Sequence, residues 1–344
     1  MEPRSEAILR AVIEEYIITA TPVGSQSLVD RHQLGVSPAT VRSVMAELEA
    51  AGLLHHPHTS AGRVPTDAGY RLYVESLPVS LDLEPVEQLM IRHQFGQVEY
   101  ASEQWFRLAA STLAGTTGMA GIATPAKPDA CTIRRIDLVA TGSRLVSVLL
   151  VLSEGPVKQL LLTADPAITQ EQMDRIGSRL TERLNGVSAE AVEERVAEIR
   201  LDDAQDELLA RQAADRIARA MREFDAAAVE DVFSEGLLNV MEAPEFARSE
   251  KLRRVFEALQ NRAYLGHLVH HMAHEGGVRV FIGAENEPQE MHDVSLVLAA
   301  YGRRGRAMGL VGVLGPTRLA YPHAISSVRY VSGLMDELVG HLYA

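Results

Sequence analysis

The chain has a single cysteine, Cys131, in 344 residues. No intramolecular disulfide can form, and a cysteine-based zinc site lacks its ligands. Lysine is almost as scarce: Lys127, Lys158 and Lys251 stand against 30 arginines. No stretch approaches the ~20 uninterrupted apolar residues of a membrane span. The opening MEPRSEAILR mixes acids among its first residues and has no apolar h-region, so no secretory signal is expected and the cytoplasm is the expected compartment. GxSxG, P-loop and HExxH patterns are all missing, which argues against an enzyme built on any of them. Positive charge is in deficit, with 33 Lys+Arg against 46 Asp+Glu and a net charge of −13. That is the wrong sign for a protein that simply coats nucleic acid. What the chain does have is apolar residues, 47% of the total. They suffice for folded cores, and two or three domains of about 100–200 residues each are expected.

Along the chain, Leu9, Val12, Ile13 and Tyr16 recur at helical spacing, which predicts an amphipathic helix over 5–19. Thr21-Pro22-Val23-Gly24 breaks it, and a short helix follows from Ser25, read as its N-cap, to His32. Ser37-Pro38 is a strong helix start, with Ser as N-cap and Pro at the first position, where its missing N–H costs nothing. This third helix runs to about Ala50. Residues 53–64 read as a hairpin whose tip is His58-Thr59-Ser60-Ala61-Gly62, and a fourth helix follows Pro65-Thr66-Asp67. Residues 78–103 read as a linker running into a helix, and 115–128 as irregular. Ile133–Thr141, Leu145–Ser153 and Val157–Thr163 predict an antiparallel meander, and 169–184, 188–198 and 205–224 three charged helices. One long helix is expected over Ser249–His274. Three strands are expected at Val278–Ile282, Val294–Tyr301 and Ala307–Leu314, and a closing helix at 324–342.

The first 77 residues carry the sharpest signal. Helix, short helix, turn, helix, hairpin is the layout of a winged helix-turn-helix. Val41, Val44, Met45 and Leu48 form the core-facing stripe of the third helix. Ala39, Ser43 and Ala46 then fall on the opposite face, with Thr40 and Arg42 on its flanks. Small outward residues let a helix press close to base edges, and an arginine and hydroxyls beside them reach phosphate or guanine. Free N–H groups at the helix start, around Ser37 and Pro38, favour phosphate as well. On this reading Ser25, Gln26, Ser37, Pro38, Ala39, Thr40, Arg42 and Ser43 face DNA. His58, Thr59, Ser60 and Arg63 of the hairpin tip hold the adjacent backbone, and Gly62 lets that backbone approach closely. The plainer alternative is a helical domain whose stripe is only core and whose Ser37-Pro38 is only a cap, serving protein contacts.

Several stretches together resemble one known family. They are Pro22-Val23-Gly24-Ser25, Gly35-Val36-Ser37-Pro38-Ala39-Thr40-Val41-Arg42, Met45-Ala46-Glu47-Leu48-Glu49, the run from Pro57 to Asp67, and Gly69-Tyr70-Arg71. Near the other end stand Ile282-Gly283-Ala284-Glu285-Asn286 and the run from Gly309 to Arg318. In order and density these resemble the HrcA family of heat-inducible transcription repressors, over essentially the whole chain. The resemblance implies a multidomain α+β protein with an N-terminal winged helix-turn-helix (1–77), a GAF-like α+β domain made of 78–130 and 231–344, and an inserted α+β dimerisation domain (131–230) with a three-stranded antiparallel sheet and helices. It further implies a cytoplasmic bacterial homodimer on an inverted-repeat operator of the CIRCE type, repressing chaperonin and DnaK-type chaperone operons, with the GroE-type chaperonin as modulator of its activity. Two positions depart from the family pattern: Gln26 stands where many relatives have Lys, and Ser43-Val44 where many have Asn-Asp. Serine offers adenine less than the bidentate contact of asparagine.

Other candidates are weaker. His267, His270, His271 and His274 give two i,i+4 pairs on one helix, a spacing that can chelate a metal, but the preferred reading is a solvated helix face ending in His, and no metal is expected. His55, His56 and His58 flank the wing and would add phosphate affinity when protonated. A GAF-like domain can house a small ligand, and a metabolite-sensing regulator is the competing function. No ligand box is visible and no cofactor is expected. Cys131 reads as a small packing residue. Within 22–66, Arg31, Arg42 and Arg63 balance Asp30, Glu47 and Glu49, so the overall acidity does not extend to the proposed reading head.

Overall fold

The computed structural model describes residues 2–57, 62–97, 102–126, 130–142, 144–153, 157–164, 169–201, 203–226, 232–246, 249–259, 261, 264, 268, 271–272, 276–303 and 307–342. The chain divides into two compact units. One comprises Met1–Pro125, Asp231–Tyr301 and Gly309–Val339; the other comprises Ala126–Glu230, Gly302–Met308 and Gly340–Ala344. Both contain helices and antiparallel sheet, so the chain is α+β.

The first unit begins with α1 (Pro3–Thr19), α2 (Ser25–Arg31) and α3 (Pro38–Ala50). Ile8, Leu9, Val12 and Ile13 of α1 are buried, as are Leu28 of α2 and the Val41, Val44, Met45, Leu48 stripe of α3. Ser37 caps α3, its Oγ accepting the Thr40 N–H at 3.2 Å. Ser25 does not cap α2: Gly24 takes that place, and Ser25 is the first helical residue, largely buried. β1 (Leu54–His55) and β2 (Val64–Pro65) pair antiparallel, Leu54 opposite Pro65 and His55 opposite Val64. α4 (Asp67–Glu75) follows, with Thr66 accepting the Gly69 N–H as its cap. The linker stretch contains α5 (Pro85–Gly96), which leads to α6 (Ser102–Thr117).

The expectation of irregular chain over 115–128 is corrected. Ala120–Ala123 is β3, buried along its whole length. It lies so close to α6 that a Cβ on Gly121 would sit 1.9 Å from the Ala110 carbonyl oxygen. Only a small-residue strand fits there, and that composition conceals a strand from a reading by β-propensity.

The chain then enters the second unit. β4 (Ile133–Ala140), β5 (Leu145–Leu152) and β6 (Val157–Thr163) form the expected meander in the order β4-β5-β6. α7 (Gln170–Leu184), α8 (Val192–Ala197) and α9 (Ala204–Ala226) complete it. A capping box of Thr169 and Gln172 starts α7. Val146, Val148, Leu150 and Leu152 of β5 meet Ile176, Leu180, Ala213 and Ile217 in one core, with Cys131 buried in it. The outer edge of β4 is closed by α7. Thr181 Oγ1 accepts from Ile136 N at 2.9 Å and donates to Ile136 O at 3.0 Å, and the Gln170 amide spans Ala140 N and Leu138 O.

Back in the first unit, β7 (Phe233–Glu235) pairs with β3, Ala123 opposite Phe233. α10 (Leu237–Met241) and α11 (Ser249–Leu259) follow. The single long helix expected over Ser249–His274 is corrected: α11 stops at Leu259, and the Asn261 side chain accepts the Tyr264 N–H at 3.4 Å, the bond of a fresh N-cap. β8 (Val278–Ile282), β9 (Val294–Arg303) and β10 (Ala307–Pro316) complete a five-stranded sheet in the order β7-β3-β10-β9-β8, and α12 (Tyr321–Leu342) closes the fold.

Candidate nucleic-acid interface

α3 presents two faces. Ala39, Arg42, Ser43 and Ala46 are exposed, Thr40 half so, while its apolar stripe is buried. Ser37 is exposed, Pro38 half-buried, and the Ser37 and Thr40 hydroxyls lie 3.0 Å apart at the helix start. Arg42 lies beside α2, its Nη2 3.5 Å from Ser25 Oγ, and no ion pair ties it to a carboxylate among the described residues. Gln26 is exposed and donates to Asp30 at 2.9 Å. Ser25 thus meets the edge of the outward face of α3 through Arg42, while Gln26 is exposed on α2.

The seating of α2 on α1 depends on a residue that sequence reading did not single out. Glu15 is buried on α1, and it accepts Arg31 Nη1 at 2.7 Å and Ser27 Oγ at 3.4 Å, with His32 Nε2 at 3.6 Å. A carboxylate inside an apolar helix pattern was the available signal, since buried acids are held by partners.

The hairpin tip residues His58, Thr59 and Ser60 lie outside the described residues. Its base is defined. Val23 and Arg63 exchange backbone hydrogen bonds of 2.9 Å in both directions. A Cβ on Gly62 would stand 2.3 Å from the Val23 carbonyl oxygen. The close approach that Gly62 permits is thus to its own chain. Arg63 turns inward, its side chain 13% exposed, with Nε and Nη2 on Glu49 at 3.1 and 3.0 Å. His56 Nδ1 lies 2.7 Å from the other oxygen of Glu49. The bond from His56, with the Arg63 charge beside it, holds the Glu49 carboxyl below the usual glutamate value.

Two sequence runs far apart meet the helical segment. Asp67 Oδ2 accepts the Ala284 N–H at 3.0 Å, and Arg71 donates from Nε to Glu285 at 2.7 Å and from Nη2 to the Val280 carbonyl at 2.6 Å. Gly283 has no room for a Cβ, which would fall 2.2 Å from Asp67 Oδ2. Asn286, buried, donates its amide to the carbonyls of Gly283, Met291 and Val294 and so fixes the turn. Arg318 bridges Glu245 at 2.6 Å and the Ile17 carbonyl at 3.3 Å. Tyr70 packs at a tilt of 52° against Tyr321, 5.8 Å between ring centroids, and burial pushes both phenols well above the usual tyrosine value. Gly283–Glu285 of one C-terminal motif and Arg318 of the other thus make contacts with the first 77 residues.

Of the four histidines expected on one helix, His267, His270 and His274 lie outside the described residues; His271 is exposed. No group of metal-binding side chains occurs among the described residues. No helix among them is long and apolar enough to cross a membrane.

Residues 103–325 match the family model described as the HrcA protein C-terminal domain. The heat-inducible transcription repressor HrcA of Roseiflexus castenholzii is 42% identical over 341 residues, covering 99% of this chain and 95% of the relative. Its counterpart in Herpetosiphon aurantiacus is 43% identical over 343 residues, covering 100% and 96%. A solved crystal structure of a hypothetical protein shares the fold, with a TM-score of 0.60 at 21% identity and 99% coverage of both chains. The class is therefore that of bacterial transcription repressors with a mixed α+β fold. Within it, the chain belongs to the HrcA family.

Proposed function

We propose that this chain is a homodimeric, sequence-specific DNA-binding repressor of heat-shock operons, those of chaperonin and DnaK-type chaperones, reading an inverted-repeat operator of the CIRCE type. The observation that carries the proposal is the outward face of α3: Ala39, Ser43 and Ala46 exposed and small, Arg42 beside them with no carboxylate partner among the described residues, and Ser37 capping the helix start. The segment 1–77 is read as a winged helix-turn-helix with α3 in the major groove. Ser25 and Gln26 touch the flanking backbone, and His58, Thr59 and Ser60 do so from the wing. Arg63 is assigned to positioning: it holds the base of the wing through Glu49.

The five-stranded sheet, whose chain-order pattern is 2-1-5-4-3, supports a GAF-like reading of the first unit outside residues 1–77. The second unit is read as the dimerising insertion. With one edge of its sheet closed by α7, it still shows Val157 at 60% and Leu161 at 53% exposure on β6, an apolar surface suited to a second copy. A pair of heads on a two-fold axis doubles the contacts on a palindrome. Chaperonin would bias the balance between a DNA-competent and an inactive form.

The test is an operator gel shift at fixed salt. Arg42→Ala is expected to weaken binding about 10-fold or more, the loss of one base or phosphate contact, with the oligomer unchanged. Unaltered affinity would remove α3 from the interface.

A further inference from the structure

A cleft of about 590 Å³ lies in the first unit between α4 with the segment that follows it, the edge strand β8, and α12. Its volume is that of a small-molecule site. Three arginines line it, Arg71, Arg279 and Arg329, together with His271; the acids are Glu75 and Glu285. In a chain of net charge −13 this is a local excess of cations. Glu285 is already committed to Arg71.

Two of the guanidiniums, those of Arg71 and Arg329, are anchored through only some of their donors. Arg71 uses Nε and Nη2 on Glu285 and the Val280 carbonyl. Arg329 uses Nη1 on the Leu81 carbonyl at 2.9 Å. That leaves the two N–H groups of Arg71 Nη1 and the Nε–Nη2 edge of Arg329 for an oxyanion, and anchoring lowers the entropy lost when one binds. The remaining wall is apolar: Val74, Met272, Val278, Phe281 and Ile325. An inorganic ion would leave that wall unused, and a neutral apolar molecule would leave the arginines unused.

We propose that this cleft binds a small organic anion, with a carboxylate or phosphate head on the arginines and an aryl or alkyl body against Phe281 and Ile325. Because Arg71 and Val74 come from α4 while Arg279 comes from β8, a ligand there touches the helical segment and the sheet edge at once. The cleft contains none of the residues assigned to DNA, so its occupancy is measured on the free protein and does not depend on operator binding.

The experiment is isothermal titration calorimetry on the full chain with phenyl phosphate and benzoate as probes. Inorganic phosphate serves as the head alone and phenol as the body alone. Saturable binding of at least one organic anion, 10-fold or more tighter than either control, is expected. Arg279→Gln and Arg329→Gln should each weaken it 5-fold or more. Arg279 is exposed on an edge strand, so its variant keeps the test valid if loss of the Arg329–Leu81 bond impairs folding. Absence of saturable binding by both organic anions, equal binding of inorganic phosphate, or affinity unchanged in Arg279→Gln would each overturn the assignment.

Discussion

At the scale of single residues, polar groups inside apolar surroundings decide most of what is distinctive. Tyr70 is buried on α4, and its hydroxyl has no hydrogen-bond partner among the described residues. A buried donor left unpaired costs about 1–3 kcal/mol. Tyr70→Phe keeps the ring against Tyr321 and removes that group, so it is expected to stabilise the fold by about 1 kcal/mol, read as a raised Tm; a lowered Tm would show that the hydroxyl has a partner. Glu49 behaves differently. Its folded value is depressed by His56 first, with Arg63 contributing, so its contribution to stability is complete above the ordinary glutamate range and is lost as pH falls through the lowered value. The Tm gap between the wild type and Glu49→Gln should therefore narrow on acidification from neutral pH to below that value. A gap independent of pH would mean that the trio contributes no linkage. Neither residue was legible from sequence as special. Tyr70 and Glu49 both lay within runs that resemble the family, and neither had a role of its own there.

Elements were legible where local chemistry and periodicity agreed. Ser37-Pro38 started α3 as expected, and the turn residues separating β4, β5 and β6 marked a meander that the register confirms. β3 was hidden because its neighbour α6 demands Gly and Ala where strands usually carry branched residues. β7, three residues long, gives no periodicity to detect. The break at Asn261 was hidden because the apolar spacing continues across it while a side-chain bond does not show in a pattern. The outward face of α3 was readable from spacing alone, whereas the inward turn of Arg63 depends on Glu49, fourteen residues away, and on a β-bridge to Val23. That bridge yields a prediction at the same scale. Gly62→Ala places a methyl against the Val23 carbonyl, a backbone atom that cannot swing aside. The base of the hairpin should open, with a stability loss of about 1–3 kcal/mol and faster amide exchange at Val23 and Arg63. Exchange rates matching the wild type would contradict the packing described.

For the molecule as a whole, the chain forms two compact units. The docking contacts made by Asp67, Arg71 and Arg318 join the first 77 residues to the rest of the first unit, and they give Ala284, Glu285 and Arg318 of the two C-terminal sequence motifs a structural role. Acidity is distributed in keeping with this division. The largest share of the net charge falls in 131–230, at −5, and the proposed reading head over 22–66 is balanced. If 131–230 is the dimerising insertion, its removal should convert the protein to a monomer in sedimentation and reduce operator affinity sharply, since each head alone makes few contacts. A dimer that survives the deletion would place the two-fold interface in the first unit.

The pairing of β3 with β7 has a consequence for how such a chain can be built and cut. Ala123 and Phe233 stand opposite one another, so the two ends of a hundred-residue excursion are neighbours in a ladder. To the sheet, the stretch Ala126–Glu230 of the second unit is a hairpin loop. A flexible loop of that length would carry a closure entropy rising as about (3/2)RT ln n. An excursion that folds on its own core has the mean separation of its ends set by that core, and the ladder has only to match it. A two-residue Asn-Gly turn in place of 126–230 should therefore leave β3 and β7 paired as an ordinary antiparallel hairpin, the five-stranded sheet unbroken.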